Sequence, residues 1–239
     1  MPPITHALPM TAFLYKLHRH HANGLPLSRW VIFWLLLMAG LFWLGWLPTD
    51  PAWDRPGAVL GVLAAILLIG AGFIAKRRHY VHFRPHPEPQ LTPSPLSAQE
   101  KTPVWASGRF GVQGKLRQFT WLQGYYRTFA TREHAIMCLS SPTRFLLLGR
   151  LPEQDLGMWY IFIQPGDMRR VRFGEVRFGK KGGPGLAIDH LLHLPKRGRF
   201  RPARTLRETT YLVCENGADA ARLLADLRHD LPPLPRATD

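Results

Sequence analysis

Along the chain the apolar positions fall first into two unbroken runs and then into short bursts. From Trp30 to Leu47, and again from Ala58 to Ala75, eighteen residues pass without an ionisable side chain. A core helix of a globular protein shows a polar stripe every three or four residues, and neither run has one. At about 1.5 Å per residue each run reaches roughly 27 Å, close to the hydrocarbon thickness of a bilayer. The pattern predicts two transmembrane helices, 30–47 and 58–75, with Trp30, Trp43, Trp46 and Trp53 at or near their ends, where indole rings favour the interface. The turn between them, Pro48 to Gly57, is short enough to force an antiparallel hairpin over 30–76.

Within the second run Gly57, Gly61 and Ala65 recur every fourth residue, a spacing that lets another backbone approach along one face. The partner is either the first helix, through Ala39, Gly40 and Gly45, or a different membrane protein. Twenty-nine residues precede the first run, and Leu47-Pro48-Thr49-Asp50 offers no small-residue cleavage pattern, so the run is expected to stay in the mature protein.

Beyond the second run the pattern changes twice. Residues 77–102 read as a linker: from Pro85 to Pro103 the segment carries six prolines and almost no large apolar side chain, which predicts an extended, semi-rigid spacer. Residues 103–231 then break into strand-like bursts over 104–112, 125–131, 134–140, 144–148, 158–164, 168–173, 176–178, 186–190 and 208–214, separated by turn residues such as those of Lys181 to Gly185. From Ala218 to Leu231 the leucines at 223, 224, 227 and 231 fall at helical spacing, so one amphipathic helix closes an otherwise β domain, leaving a short tail over 232–239.

Many short strands, then Thr209-Thr210-Tyr211-Leu212-Val213-Cys214 and an Asn-Gly turn into Ala218-Asp219-Ala220-Ala221-Arg222-Leu223-Leu224, with Val171-Arg172-Phe173-Gly174 before the late hairpins, form a pattern that resembles the pleckstrin homology-like (PH-like) fold. The resemblance covers residues 103–231. It implies an α+β domain built as a small barrel of about seven antiparallel strands capped by the C-terminal helix, and a binding or scaffolding role rather than catalysis. Phosphoinositide-binding members of that family gather a Lys and a basic-x-Arg triplet across the first hairpin. Carried over, this places a possible lipid pocket at Lys115 and Arg127, with Tyr125 standing where the middle cation is expected and Arg117 as its substitute.

The residues themselves offer no catalytic machinery. No Gly-x-x-x-x-Gly-Lys-Ser/Thr, Gly-x-Ser-x-Gly, His-Glu-x-x-His or Cys-x-x-Cys occurs, so neither an enzyme nor a cofactor is expected. His190 and His193 sit near a strand end, where their spacing turns the rings to opposite faces, and Asp189 is the one nearby acid, so no metal site is expected. His18, His20 and His21 join Lys16 and Arg19 before the first run. Their plain reading is polar bulk at the headgroup level, and the sharper one a proton- or metal-sensitive tail. Cys138 and Cys214 lie inside apolar bursts and read as reduced, buried thiols.

Charge adds orientation and a candidate surface. Residues 1–29 form a basic segment, with Lys16, Arg19 and Arg29 before the first run, while Lys76, Arg77, Arg78 and Arg84 follow the second. The turn between the runs holds only Arg55 against Asp50 and Asp54, which predicts an inner-membrane protein with both termini in the cytoplasm. Most of the net charge of +15 falls after the hairpin. One cluster is Arg169, Arg170, Arg172, Arg177, Lys180 and Lys181, and a second is Lys196, Arg197, Arg199, Arg201, Arg204 and Arg207. Near an anionic leaflet each cation gains on the order of 1 kcal/mol. Nucleic acid is disfavoured, because the one predicted soluble helix carries Asp219, Asp226 and Asp230. The expectation is a membrane-anchored PH-like module that binds a protein partner or the inner leaflet; the alternative is an accessory subunit of a membrane complex whose helices make the contacts.

Overall fold

A computed structural model describes residues 9–47, 50–87, 101–112, 115–128, 134–140, 157–196 and 202–229. The described chain divides into two units, one ending at Tyr80 and the other beginning at Val81. The expected strand over 144–148, the linker core from 88 to 100, and the tail lie outside the described residues.

The first unit opens with a helix that the sequence reading missed, α1 (Pro9–Arg19). Proline suits a first helical position, and Lys16, His18 and Arg19 in the last turn complement the negative helix end. A small hairpin follows, β1 (His21–Ala22) and β2 (Leu25–Pro26). Its two-residue turn is Asn23-Gly24, both at positive φ (51° and 77°), the pairing a tight twisted hairpin requires. Residues 9–26 of the basic segment thus form a helix and a small hairpin.

The first apolar run becomes α2 (Leu27–Trp43), 17 residues, and the second becomes α3 (Asp54–Arg77), 24 residues. By length and composition α3 is the one helix among the described residues long and apolar enough to cross a membrane. The expected helix 30–47 is corrected at both ends. Gly45 adopts φ +65°, and Gly45 N donates to Phe42 O (3.1 Å) while Trp46 N donates to Leu41 O (3.1 Å). These paired bonds close α2 at Trp43. The same device ends α3: His79 at φ +53° donates to Lys76 O (3.2 Å) and Tyr80 to Ala75 O (2.8 Å), so the chain turns sharply past the basic residues.

The glycine spacing has a direct geometric consequence. A Cβ added at Gly57 would fall 2.8 Å from the Phe42 ring, and one at Gly61 would fall 2.9 Å from Ala39 Cβ and 3.1 Å from Leu35 O. As α3 ascends from 57 to 61, its contacts descend α2 from 42 to 35, so the two helices run antiparallel. Ala65 is buried as well. Gly40 and Gly70, by contrast, have open space where a Cβ would go.

Among the described residues the second unit forms one eight-stranded antiparallel sheet in the order β3-β8-β9-β10-β4-β5-β6-β7. Its members are β3 (His82–Pro85), β4 (Thr102–Val112), β5 (Lys115–Thr128), β6 (His134–Ser140), β7 (Gly157–Ile163), β8 (Met168–Phe178), β9 (Lys181–Leu194) and β10 (Arg204–Val213). Among the described residues β3 and β7 are edges and no pairing joins them, so the expected closed barrel is not formed. Three expected segments change. Residues 82–85, expected as linker, are a sheet strand paired to β8. Residues 115–124, which fall outside the expected strands, belong to β5. The separate bursts 168–173 and 176–178 are one strand running through Gly174.

A single helix, α4 (Gly217–His229), follows β10. Asn216 caps it: its side-chain oxygen accepts from Asp219 N at 2.8 Å, and its amide donates to Asp219 Oδ2 at 2.9 Å. Ala220, Leu223, Leu224 and Leu227 pack on one sheet face against Val104, Ala106, Tyr126, Leu186, Ile188 and Leu212, forming the principal core. Alternation along each strand sends the next residues to the other face, where Val81, Val176 and Val213 form a second, smaller core.

Candidate anionic-surface site

The β8–β9 hairpin carries the first basic cluster. Its loop is two residues, Gly179-Lys180, between the paired Phe178 and Lys181. Gly179 stands at φ +60° in the first loop position, where a tight hairpin needs a left-handed residue. This geometry throws Lys180 and Lys181 into solvent, and both are exposed.

The six cations of that cluster are not equivalent. Arg172 donates to Asp189 Oδ1 at 3.1 Å and lies 5.3 Å above the Phe83 ring, while Thr209 donates to the same carboxylate oxygen at 2.7 Å. Arg177 grips Glu175 through two bonds, 2.6 and 2.9 Å, and that hydrogen bonding raises its pKa above the ordinary guanidinium value. Arg169, Arg170, Lys180 and Lys181 are exposed and form no ion pair with a described residue.

Register separates these four into two places. Arg169 and Arg170 begin β8, and Lys180 and Lys181 lie past its far end, roughly 30 Å away at about 3.3 Å per residue. Lys196 follows β9 and Arg204 opens β10 opposite Leu194, with Arg207 opposite Leu191. Arg169, Arg170, Lys196, Arg204 and Arg207 therefore belong to one end of the sheet. Lys180 and Lys181 belong to the other. Arg197, Arg199 and Arg201 lie outside the described residues. The two clusters read from chain adjacency are re-sorted by strand direction, because a hairpin folds its start beside its finish.

The Lys180–Lys181 end has a second property. His82 opposes Arg177, so β3 enters the sheet beside this turn, and only residues 78–81 separate β3 from the last residue of α3.

The residues of the pocket implied by the family resemblance all fall on β5. β5 runs from Lys115 to Thr128 and pairs with β4 from Val112↔Lys115 to Thr102↔Tyr126. Lys115 and Arg127 thus stand near opposite ends of one strand, about 40 Å apart along it at about 3.3 Å per residue. Arg117 lies near the Lys115 end. Tyr125, at the middle position, is 38% exposed.

An aromatic layer escaped the sequence reading. Phe83, Trp105, Trp121, Phe178 and Tyr211, one from each of five strands, are half-buried around the second core. Trp121 and Phe178 stack at 5.8 Å and 25°, and Phe83 tilts against Tyr211 at 5.9 Å. Trp121 takes φ +53° at the irregularity in the β4–β5 pairing, and its N–H donates to Ser107 Oγ at 2.8 Å. That hydrogen bond satisfies the backbone group that the irregularity removes from the ladder. The signal was an aromatic residue in nearly every strand, but only the register shows that these five share a face.

The histidines divide by environment. His190 is buried, with Nε2 2.9 Å from Thr210 Oγ1, and burial lowers its pKa below the ordinary value, opposed by the Leu191 carbonyl and by Asp167 and Asp189. His193 is exposed and joins Asp167 (2.8 Å) to Thr205 (3.0 Å). His18, His20 and His21 each donate from Nδ1 to a backbone carbonyl, of Leu14, Lys16 and Arg19 respectively. No group of three metal-ligating side chains occurs among the described residues. Cys214 is buried, and burial, with a smaller contribution from Asp219, pushes its thiol up to about 12. The Cys138 side chain lies outside the description.

No family model matches the chain, and no curated protein matches it. A search of solved structures returns a chain from a study titled "CC2D1B coordinates ESRCT-III activity during the mitotic reformation of the nuclear envelope". It is 9% identical over 82% of this chain and 90% of that one, with a TM-score of 0.14. Likeness at that level says nothing about fold or activity.

Proposed function

We propose that this chain is a membrane-anchored binding module of the inner membrane, with α2 and α3 as a hairpin anchor, both termini cytoplasmic, and the sheet domain acting at the leaflet or on a protein partner. The observation that carries the reading is the exposure of large apolar side chains around both helices, among them Leu67 (71%), Phe73 (68%), Leu60 (61%) and Trp34 (55%). Water does not tolerate a continuous apolar surface of this kind, and lipid does. At 17 residues α2 reaches about 26 Å, at the short limit for a span, and its antiparallel packing on α3 gives it a companion.

The PH-like reading of the sheet draws support from its order. Leaving aside the edge strand β3, the sheet runs fifth, sixth, seventh, first, second, third, fourth, and the last strand leads into a helix that lies on the core face. The Lys180–Lys181 turn, beside the strand that follows the anchor, is the surface we assign to anionic headgroups. A second reading, an accessory subunit, is favoured by an apolar groove of about 630 Å³ between α2 and α3, lined by Leu35, Met38, Phe42, Trp53 and Leu60.

Reporter fusions at residues 1 and 239, with extraction of membranes by alkaline carbonate, test the anchor. Retention in the pellet and cytoplasmic signal from both fusions are expected. Release by carbonate, or an external signal from either end, overturns it. Native mass in detergent separates the readings: a lone chain or homo-oligomer supports the module, and a stoichiometric heteromer supports the subunit.

A further inference from the structure

α1 divides into three sectors at 100° per residue. The first faces the helix pair: Leu14 is buried, and a Cβ at Gly72 would fall 2.9 Å from the His18 ring. On the same helix the Tyr15 ring meets Tyr80 edge-on at 5.3 Å. The second sector is Met10, Phe13 and Leu17, spaced i, i+3, i+7, with Met10 51% and Phe13 58% exposed. The third carries Lys16 and Arg19, the latter donating to Tyr15 Oη at 2.9 Å.

These contacts fix the level of α1 along the helix pair. Gly72 and Tyr80 bracket Lys76, Arg77 and Arg78, the basic end of α3. Because α2 and α3 are antiparallel, that end also holds the start of α2, where Trp30 Nε1 donates to Ala22 O at 2.9 Å and ties down the small hairpin. Two tyrosines, a tryptophan and five cations thus gather at one level, the composition of a membrane interface.

We propose that α1 lies in the headgroup layer of an anionic phospholipid bilayer, with Met10, Phe13 and Leu17 turned toward the acyl chains and Lys16 and Arg19 toward phosphates. This rests on the anchor reading above. A second copy of the chain is a poorer occupant of the stripe, because Lys16 and Arg19 flank it and would face their own counterparts. Anionic headgroups reverse that sign, and an interfacial helix is held by this combination of a narrow apolar face and neighbouring cations.

Nitroxide labels at Phe13→Cys, Lys16→Cys and Leu67→Cys, each in the full chain carrying Cys138→Ala, would be compared in nanodiscs of phosphatidylcholine and phosphatidylglycerol. Cys214 is buried and does not compete for label. Collision with oxygen should dominate at positions 13 and 67, and collision with a water-soluble nickel chelate at 16. If 67 stays oxygen-rich while 13 follows 16, the anchor stands and this inference fails. Shielding of 13 from both reagents shows a protein contact and also overturns it. Nickel exposure at 67 removes the anchor, and the inference with it. Independently, Phe13→Glu in the otherwise unaltered chain should raise tryptic cleavage after Lys16 and Arg19 in proteoliposomes several-fold, and unchanged cleavage counts against the proposal.

Discussion

Tyr126 Oη donates a 2.8 Å hydrogen bond to Asp226 Oδ2, joining the middle of the sheet to α4 across one hundred residues of chain. Tyr126 is fully buried, so its hydroxyl needs a partner, and the carboxylate supplies one at the helix face that also presents Leu223 and Leu227. The bond adds a directional contact to the packing of Leu223, Leu224 and Leu227 on the sheet. Tyr126→Phe should lower stability by about 1.5–3 kcal/mol, the usual contribution of a bond to a charged acceptor, without loss of the fold. Asp226→Asn should cost less, because an amide oxygen still accepts. Thermal unfolding of the detergent-solubilised chain measures both.

His190 gives the stability a sign with pH. Burial holds its pKa down, so the unfolded chain takes up a proton near pH 6.5 before the folded chain does. Its contribution is complete above pH 6.5 and is lost as pH falls through the lower folded value. Melting temperature should therefore drop on acidification from pH 7.5 to 5.5. His190→Gln keeps a hydrogen-bonding partner for Thr210 and should lower stability at pH 7.5 while flattening that drop. An unchanged pH slope would show that other groups control it.

Edge strand β3 belongs to the sheet domain. Phe83 covers Val176 and the Gly174 backbone, touches Tyr211 and lies under Arg172, and Val81 is buried in the second core. A fragment beginning at 81 should give a cooperative melt. One beginning at 103, the boundary expected from the proline content, should be less stable by several kcal/mol and prone to aggregate through the bared edge of β8. Equal melts for the two fragments would make β3 dispensable.

Gly61 and Gly70 form a matched pair within α3. Leucine at 61 would drive its side chain into Ala39 and the Leu35 carbonyl, costing about 1–3 kcal/mol or separating the helices. Leucine at 70 meets open space. Melting in detergent should fall for Gly61→Leu and hold for Gly70→Leu.

Lys180 and Lys181 are free of ion pairs with described residues, and Arg172 is held by Asp189 and Phe83. With the 81–239 fragment and anionic vesicles, Lys180→Gln with Lys181→Gln should weaken association about tenfold or more at low salt, given roughly 1 kcal/mol per cation at the surface. Arg172→Gln should chiefly lower the melting temperature. The binding that remains should fade at physiological salt, where exposed charges are screened over about 8 Å.

Amphipathic and apolar patterns are properties of neighbouring residues, and for that reason they were legible in the chain itself. Continuous apolar runs located α2 and α3, leucine spacing located α4, and Asn216-Gly217 marked its start, because each depends on contacts within a few residues. The Schellman-type stop at Gly45 and the Asn23-Gly24 hairpin were just as local and were readable in principle; the length of the apolar run and the cations around it masked them.

Long-range pairing was not legible, and it decided everything about the surface. Strand register brought His82 beside Arg177, set Asp189 against Arg172, and parted Lys115 from Arg127. The sequence by itself determined which segments bury their side chains and where the charge lies along the chain, since composition and periodicity need no partner. Which cations remain free, which five aromatic rings share a face and whether the sheet closes depend on backbone hydrogen bonds between residues tens of positions apart. Their geometry exists only once the strands have paired.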